Sequence, residues 1–389
     1  MGYTRTKFTS AQTAILNRKV LFAIILLIII IVSVLAQIFL ETAQKESESS
    51  PGFFVGVTAN GNVTETKDLI DKTKGLINMI VIDNTDTMKD KESLVEVCNY
   101  AYKWGLSFFV YMYDPMRGGF NYDPIGWVVE AKEKYGNRFL GYYLYDEPGG
   151  NQLDNGSFAQ FSKGTNAPLN YRDAANTYCY YLFATMRNFM KVDKLVTSDY
   201  GLYWFDYEAG YDTIFCEFAW NHSRPVNIAL CRGAAEVHNK DWGVMITWTY
   251  THAPYLESGK DLYGDMVTAY DAGAKYVIVF NHPQIGAYGL LTEEHFEALK
   301  RFNDFVSKTP QKHSSNTERI AYTLPRSFGW SFRRENDTVW GIWNPSENAT
   351  KIWNDVAKFT QTYGYNFDII YNDTLTYFTW KNHYNKLIN

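Results

Sequence analysis

The chain has 389 residues, a length that suits one large barrel with an appendage better than a row of small domains. Its net charge of −5 is spread along the chain, and no basic run occurs beyond the N-terminus. Nucleic acid and other polyanions are therefore excluded as expected partners.

The N-terminal region predicts a membrane anchor. Residues 20–40 are apolar except for Ser33 and Gln37, and about 20 such residues suffice to cross the hydrocarbon core of a bilayer. Basic residues precede this segment and acidic residues follow it, so residues 1–19 are expected in the cytoplasm and the rest of the chain outside the cell. The alternative is a cleaved signal peptide, but the segment is longer than the usual apolar core of one. We therefore expect a single-pass protein of the cell membrane.

Six Asn-x-Ser/Thr sequons follow the anchor and support an extracellular location. The predicted glycosylation sites are Asn62, Asn155, Asn221, Asn336, Asn348 and Asn372. The four cysteines lie in apolar segments without C-x-x-C spacing, which argues against a zinc site and a dense disulfide framework. A single bridge is compatible with the pattern.

After a polar stalk at 41–52, strand-like and helix-like patterns alternate through 53–310. The predicted strands are apolar on both faces, as in a parallel sheet that is buried on both sides. The predicted strands are Phe53–Thr58, Asn78–Asp83, Leu106–Asp114, Phe139–Tyr145, Lys194–Tyr200, Thr213–Phe218, Trp242–Trp248 and Tyr276–Phe280. Eight strands in this order predict an α/β fold, a (β/α)₈ TIM barrel. A doubly wound sheet is the alternative, but no glycine-rich phosphate loop follows an early strand.

The predicted helices are Lys67–Leu76, Lys91–Trp104, one beginning at Pro124, Tyr171–Met190, Val226–Asn239, Tyr263–Ala272 and Glu293–Ser307. A polar linker then leads to a small α/β appendage at 319–389. Its predicted elements are strands at Ile320–Leu324, Thr338–Trp343 and Phe367–Tyr371 and a helix near Ile352–Gln361. These strands need the barrel as a surface to bury against, so we expect the appendage to stabilise the barrel rather than to catalyse.

In such a barrel the active site lies where the strands end. With 30 Tyr and 11 Trp, the chain holds more aromatic residues than a core needs, which indicates rings lining a groove of the kind that binds sugars. The candidate substrate-binding residues at the strand ends are Asp83, Tyr113, Asp114, Asp146, Asp199, Trp220, Trp248, Tyr250, His252 and Asn281. The alternative for the aspartates is to cap the next helix, and for His252 and His282 it is to orient a neighbour.

The sharpest local signal is Tyr145-Asp146-Glu147-Pro148, at the end of the fourth strand. It resembles the Asn-Glu-Pro of the clan of retaining glycosidases built on this barrel, in which the Glu is the general acid/base. The resemblance implies that role for Glu147. Asp146 stands where the clan has an Asn that contacts the sugar 2-hydroxyl, and its charge is expected to raise the pKa of Glu147, as suits a proton donor. The structural alternative is that Glu-Pro simply opens a helix.

Glycoside hydrolysis needs a second carboxylate, which the clan carries at the end of strand seven. Here that strand ends without an acid, and the nearest one, Glu257, lies in the following loop. Glu217, a charge in the otherwise apolar sixth strand, is the better candidate, with a structural ion pair as the alternative. The placement is similar to α-galactosidase-like barrels, which carry carboxylates on strands four and six.

The leading hypothesis is an extracellular, membrane-anchored glycoside hydrolase that acts on a polysaccharide or glycan. The alternative is a non-catalytic glycan-binding or cell-surface structural protein on the same barrel, which the missing strand-seven carboxylate favours. No metal-binding or cofactor pattern occurs, so neither is expected. Two segments, Leu291–Lys300 and Tyr322–Trp343, also resemble uncharacterised surface glycosidase-like proteins of microbes.

Overall fold

A computed structural model describes residues 31–33, 52–112, 118–156, 167–311 and 319–389. The predicted membrane segment, 20–40, lies outside these ranges except for 31–33, which are helical. Within the described ranges, no helix has both the length and the hydropathy that a bilayer crossing requires. Residues Gly52–Asn389 form one compact unit.

Eight parallel strands close into a barrel in this unit. Each strand pairs with the next along the chain, and the last pairs with the first, Tyr276 lying opposite Phe54. The strands are β1 (Phe54–Ala59), β2 (Met79–Ile82), β3 (Ser107–Tyr111), β4 (Phe139–Tyr143), β5 (Leu195–Asp199), β6 (Thr213–Phe218), β7 (Asp241–Ile246) and β8 (Tyr276–Val279). The predicted (β/α)₈ TIM barrel is therefore confirmed.

Helices follow the strands along the chain. They are α1 (Val63–Thr73), α2 (Thr85–Lys89), α3 (Lys91–Lys103), α4 (Pro124–Tyr135), α5 (Pro148–Asn155), α6 (Tyr171–Met186), α7 (Tyr203–Ala209), α8 (Arg224–His238), α9 (Gly259–Asp271) and α10 (Glu293–Lys308). The sequence prediction lacks α2, α5 and α7, because five to eight residues are too few to show a helical period. Of these, α5 shapes the site, since it begins directly after Glu147.

The interior of the barrel is a packed core. Its side chains are Phe54, Met79, Val81, Phe109, Tyr143, Val196, Phe215, Met245, Tyr276 and Ile278. Aromatic rings interlock within it, with Phe215 edge-on to both Phe109 and Tyr276 at centroid distances of 5.7 Å. Because the interior is filled by side chains, polar groups gather at the carboxyl ends of the strands, as expected for this architecture.

The appendage is a three-stranded parallel sheet in the order β10-β9-β11. Its elements are β9 (Ile320–Leu324), α11 (Glu347–Tyr363), β10 (Phe367–Tyr371), α12 (Thr374–Thr379) and β11 (Lys386–Ile388). The predicted strand at Thr338–Trp343 is wrong, because this segment is a turn that holds a single bridge between Val339 and Trp343. Trp340 and Gly341 have φ angles of 57° and 72°, which reverse the chain, and the Trp340 ring is buried against Phe205.

A buried ion pair joins the appendage to the barrel. Arg232 of α8 is 3% exposed, and its Nε donates to Oδ1 of Asp368 in β10 at 2.8 Å. Arg319 contacts the other oxygen of the same carboxylate at 3.3 Å. Opposite Ile369, the helix carries Gly233, because a Cβ there would lie 2.5 Å from the Ile369 carbonyl oxygen. The sheet and the helix therefore approach at backbone distance around the pair.

We predict that Asp368→Ala lowers the free energy of unfolding by about 3–5 kcal/mol, because it leaves Arg232 buried without its counter-charge and Arg319 with Glu236 alone. The matched control is Glu130→Ala, which removes the exposed Lys91–Glu130 pair and should cost less than about 1 kcal/mol. Urea unfolding of both variants measures the difference. Equal effects, or a soluble and fully stable chain truncated after Pro310, would contradict the stabilising role of the appendage.

Candidate active site at the carboxyl ends of the strands

Two glutamates meet at the mouth of the barrel. Glu217 is the fifth residue of β6, and it is only 3% exposed although it carries a carboxyl group. Glu147 follows β4, and its backbone N–H donates to the Ser198 carbonyl of β5 at 3.1 Å. The two carboxyl groups share a hydrogen bond. The structure thus brings together the two residues that the sequence predicts as catalytic.

Burial and mutual repulsion shift both carboxyl groups toward the protonated form. Burial, followed by the charge of Asp146, raises the pKa of Glu147 to about 8. Burial, followed by the charge of Glu147, raises the pKa of Glu217 well above its usual range. Two carboxylates in contact cannot both ionise cheaply, so the pair holds at least one proton near neutral pH, and its titration belongs to both groups.

Two hydroxyl groups, those of Tyr143 and Ser198, link a third acid, Asp146, to Glu217. The Tyr143 hydroxyl lies 2.5 Å from Oδ1 of Asp146 and 2.7 Å from Oγ of Ser198. Ser198 in turn donates to Oε1 of Glu217 at 2.6 Å. These hydrogen bonds lower the pKa of Asp146, whereas the protein that surrounds it at the mouth raises the same pKa and prevails. Tyr143 and Ser198 thus fix the positions of both acids.

The backbone around the pair is held in uncommon conformations. Tyr145, Glu147 and Trp220 have φ angles of 56°, 49° and 48°, in the left-handed region that bulky residues rarely adopt. Such conformations cost about 1–3 kcal/mol each and persist only where the surrounding structure enforces them. They aim the side chains of Glu147 and Trp220 into one cavity, which both residues line.

The side chain of Asp199 helps to hold the backbone around Glu147 in place. It is fully buried at the end of β5, and its two oxygens accept the backbone N–H groups of Gly149 and Gly150 at 2.6 and 2.8 Å. These donors belong to the first turn of α5, which the Glu147 side chain does not cap. The Asp199 carboxylate therefore caps the helix behind Glu147 and lines no cavity, which is the capping alternative that the sequence leaves open.

The mouth contains two adjoining cavities. The first, here named the pair lobe, has a volume of about 290 Å³. It is lined by Asp146, Glu147, Ser198, Glu217, Trp220, Met245, Thr247, Trp248, Phe280 and His282. The second, here named the acidic lobe, has a volume of about 230 Å³. It is lined by Thr58, Asn60, Val81, Asp83, Thr85, Tyr111, Tyr143, Asp146, Met245, Phe280 and His282. Asp146, Met245, Phe280 and His282 belong to both, so the lobes form a continuous cleft.

The remaining predicted residues divide between the cleft and its surroundings. Asp83 lies in the acidic lobe, and Trp220 and Trp248 lie in the pair lobe. Asn281 is fully buried, and its Oδ1 accepts the N–H groups of Leu290 and Leu291, so it holds the loop after β8. Two predicted residues, Tyr250 and His252, are exposed and line neither lobe. Tyr113 and Asp114 lie outside the described residues.

Glu257, the acid nearest the end of β7, takes no part in the cleft. Its carboxylate lies 3.7 Å from Arg224, and it lines neither lobe. Within the described ranges, no group of three or more His, Cys, Asp or Glu residues has a metal-binding arrangement. All four cysteines are free thiols.

Five of the six predicted glycosylation sites are exposed in the structure. Among the predicted glycosylation sites, Asn62, Asn221, Asn336, Asn348 and Asn372 are exposed, while the side chain of Asn155 lies outside the description. Sequence reasoning gives no role to Tyr143 or Ser198, which orient the acids. The alternation of β4 does not reveal Tyr143, because a register shift between Phe139 and Gly141 breaks the two-residue period, so that Phe139 belongs to the outer core and Tyr143 to the interior of the barrel.

Comparisons with known proteins identify no family for this chain. The sequence matches no protein-family model, and no curated protein is similar to it at a significant level. Similar folds occur among solved structures. The alpha-L-fucosidase isoenzyme 2 from Paenibacillus thiaminolyticus has 11% identity and a TM-score of 0.44 over 70% of this chain and 52% of its own, so this chain spans about half of its length.

Two mannanases are similar to the same degree. The endo-beta-1,4-mannanase from Thermotoga petrophila has 8% identity and a TM-score of 0.44 over 70% of this chain and 82% of its own. The endo-1,4-beta-mannanase from Rhizomucor miehei has 10% identity and a TM-score of 0.44 over 67% and 96%. Similarity at this level concerns the fold alone, which the strand pairing already establishes.

The raised pKa of Glu147 predicts how the free energy of unfolding depends on pH. Folding favours the protonated acid, so its contribution to stability is complete below the unfolded value of 4.5 and is lost as pH rises through about 8. Glu147→Gln, which is always neutral, should match the wild type at pH 4 and exceed its free energy of unfolding by about 1–3 kcal/mol at pH 8. Chemical denaturation at both pH values tests this, with the exposed Glu130→Gln as control. A difference between Glu147→Gln and the wild type that does not change with pH would contradict the shift.

Proposed function

We propose that this chain is a glycoside hydrolase in which Glu147 and Glu217 cleave the glycosidic bond. The observation that carries the proposal is the contact between these two carboxyl groups in a cleft lined by Trp220 and Trp248. A proton donor paired with a carboxylate is the chemical requirement of this reaction. The two indole rings offer the apolar faces against which sugar rings bind.

The closeness of the pair supports a retaining mechanism. Carboxyl groups are about 5–5.5 Å apart in retaining enzymes and about 6.5–9.5 Å apart in inverting ones, where a water molecule must fit between. Glu147 and Glu217 are in contact in the structure, so of the two spacings the shorter, retaining one is nearer to this arrangement. Glu147 therefore protonates the leaving oxygen while Glu217 attacks the anomeric carbon. The sugar is then held as an ester of Glu217, until water activated by Glu147 releases it and restores both carboxyl groups.

The surrounding hydrogen bonds suit this division of roles. Ser198 donates to Glu217, which favours the ionised form that a nucleophile needs. No described residue donates a hydrogen bond to Glu147 apart from the partner acid, and the neighbouring charge of Asp146 raises the Glu147 pKa further. In the structure Glu217 donates to Glu147, so the proposed roles require that a seated substrate separates the two glutamates and leaves the proton on Glu147.

We further propose that the barrel is extracellular and is held at the cell membrane by residues 20–40, with glycans on its exposed sequons. The support is the apolar segment with basic residues before it and acidic residues after it. The exposure of five of the sequon asparagines is compatible with their modification.

A non-catalytic glycan-binding protein is the second candidate. The observation that favours it concerns the end of β7. The residues there that line the pair lobe, Thr247 and Trp248, carry no carboxyl group. Such a protein would keep the aromatic cleft and bind glycans without turnover.

Turnover separates the two candidates. Glu147→Gln should reduce hydrolysis of a natural glycan about a hundred- to ten-thousandfold while sparing aryl glycosides with activated leaving groups, which need no proton. Glu217→Gln should slow both substrate classes, because each requires the nucleophile. Glu130→Gln, the same change at an exposed glutamate outside the cleft, is the control. Unchanged turnover in a folded Glu147→Gln protein would remove the acid assignment, and no turnover of any glycan by the wild type would favour the binding protein.

The proposed topology is tested on intact cells. Added protease should digest the barrel without permeabilisation, because the charges that flank residues 20–40 predict that the C-terminal part lies outside. Mass spectrometry of the released peptides reads the result. Digestion that occurs only after permeabilisation would show that the orientation is wrong.

A further inference from the structure

The acidic lobe presents hydrogen-bond acceptors that no described residue satisfies. Asp83 points its carboxyl group into this lobe, and no hydrogen bond or ion pair joins that group to any described side chain or backbone N–H. The surrounding protein and the nearby charge of Asp146 raise its pKa well above the usual range. Asp83 is half-buried, so a ligand that enters the lobe can supply hydrogen-bond donors to its carboxyl group.

His282 adds another acceptor to the same lobe. The Asn60 amide nitrogen donates to the Asp83 carbonyl at 3.1 Å, which turns the Asn60 Oδ1 toward His282. That oxygen lies 2.7 Å from the His282 Nδ1, which must therefore carry the hydrogen. Burial lowers the pKa of His282 and keeps the ring neutral. Its Nε2 is then an acceptor, and no described residue donates to it.

Charged donors are missing from the walls of the cleft. Among the described residues, no lysine or arginine lines either lobe. The other polar side chains of the acidic lobe include the hydroxyl groups of Thr58, Thr85 and Tyr111, which either donate or accept. A ligand that fits must therefore bring its own donors to Asp83, Asp146 and the His282 Nε2.

Sugar substituents differ in the hydrogen-bond donors that they offer to these acceptors. An ammonium group has three donors, no acceptor and a positive charge. A hydroxyl group has one donor but also two lone pairs. An N-acetyl group brings an oxygen that itself needs a donor, and a uronate carboxylate adds a negative charge beside two acids.

We propose that the acidic lobe is a subsite for a sugar residue that carries a free, protonated amino group, so that the substrate is a glycan containing non-acetylated amino sugar. The ammonium group lies between Asp83 and Asp146, and the rings of Tyr111 and Phe280 face the sugar and its charge. This inference rests on the proposed function for the neighbouring pair lobe. It assigns Asp83 as the residue that determines specificity.

Binding to the purified full-length chain tests the inference without turnover. The probes are glucosamine and galactosamine, each compared with its N-acetyl form and with glucose, galactose and glucuronic acid, by titration calorimetry or ligand-observed NMR. One amino sugar should bind at least about tenfold more tightly than its neutral counterpart, since a hydrogen bond to a charged group contributes that much. Asp83→Asn should abolish this preference, whereas Asp86→Asn, an equal change of charge on the exposed first turn of α2, should leave it intact.

Equal binding of amino and neutral sugars by the wild type, or tighter binding of glucuronic acid, would overturn the inference, and this comparison holds even if Asp83→Asn fails to fold. A preference that survives in folded Asp83→Asn would also overturn it. Failure of the proposed function looks different. Selective amino-sugar binding without hydrolysis of any glycan would leave the subsite in place and refute the enzyme, whereas hydrolysis of neutral glycans with no binding preference would do the reverse.

Discussion

Two carboxyl groups in hydrogen-bond contact, held where burial penalises charge, can keep only one negative charge between them near neutral pH. The barrel creates this contact through its topology. β5 lies between β4 and β6, and its Ser198 takes part in hydrogen bonds with the Tyr143 hydroxyl on one side and with Glu217 on the other. The central strand thus spaces the acids that its neighbours carry. The proposed roles of proton donor and nucleophile fall to two identical side chains whose surroundings differ.

Holding the pair in place lowers the stability of the mouth. Left-handed backbone at Tyr145 and Glu147, together with carboxyl groups of raised pKa, is unfavourable for folding. The compensation lies deeper in the structure. The Asp199 carboxylate satisfies the first turn of α5 from a neighbouring strand, and the Arg232–Asp368 pair fastens the appendage to the outer helix α8. Strain near the chemistry and rigid support behind it are the usual division in active sites.

Much of the fold follows from the sequence because a closed parallel barrel imposes a strong pattern. Strands that are buried on both faces alternate with amphipathic helices, and each such element is long enough to show its period. The helix α5 is too short to show a helical period. At Trp340, burial of a large ring outweighs the strand propensity of the segment. The site is predictable to the extent that strand ends are, so the sequence singles out Glu147 and Glu217, which the structure brings together. The capping role of Asp199 depends on loop geometry that no periodicity encodes.

The central claim is that Glu147 and Glu217 keep at least one proton between them near neutral pH, and a direct titration tests it most simply. Carbon-13 labelling of the glutamate carboxyl groups allows each to be followed by NMR, with Glu147→Gln and Glu217→Gln spectra for assignment. The account predicts that two coupled signals titrate together, with one step well above the ordinary glutamate range. Independent titration of both groups near 4.5, the ordinary value, would contradict it.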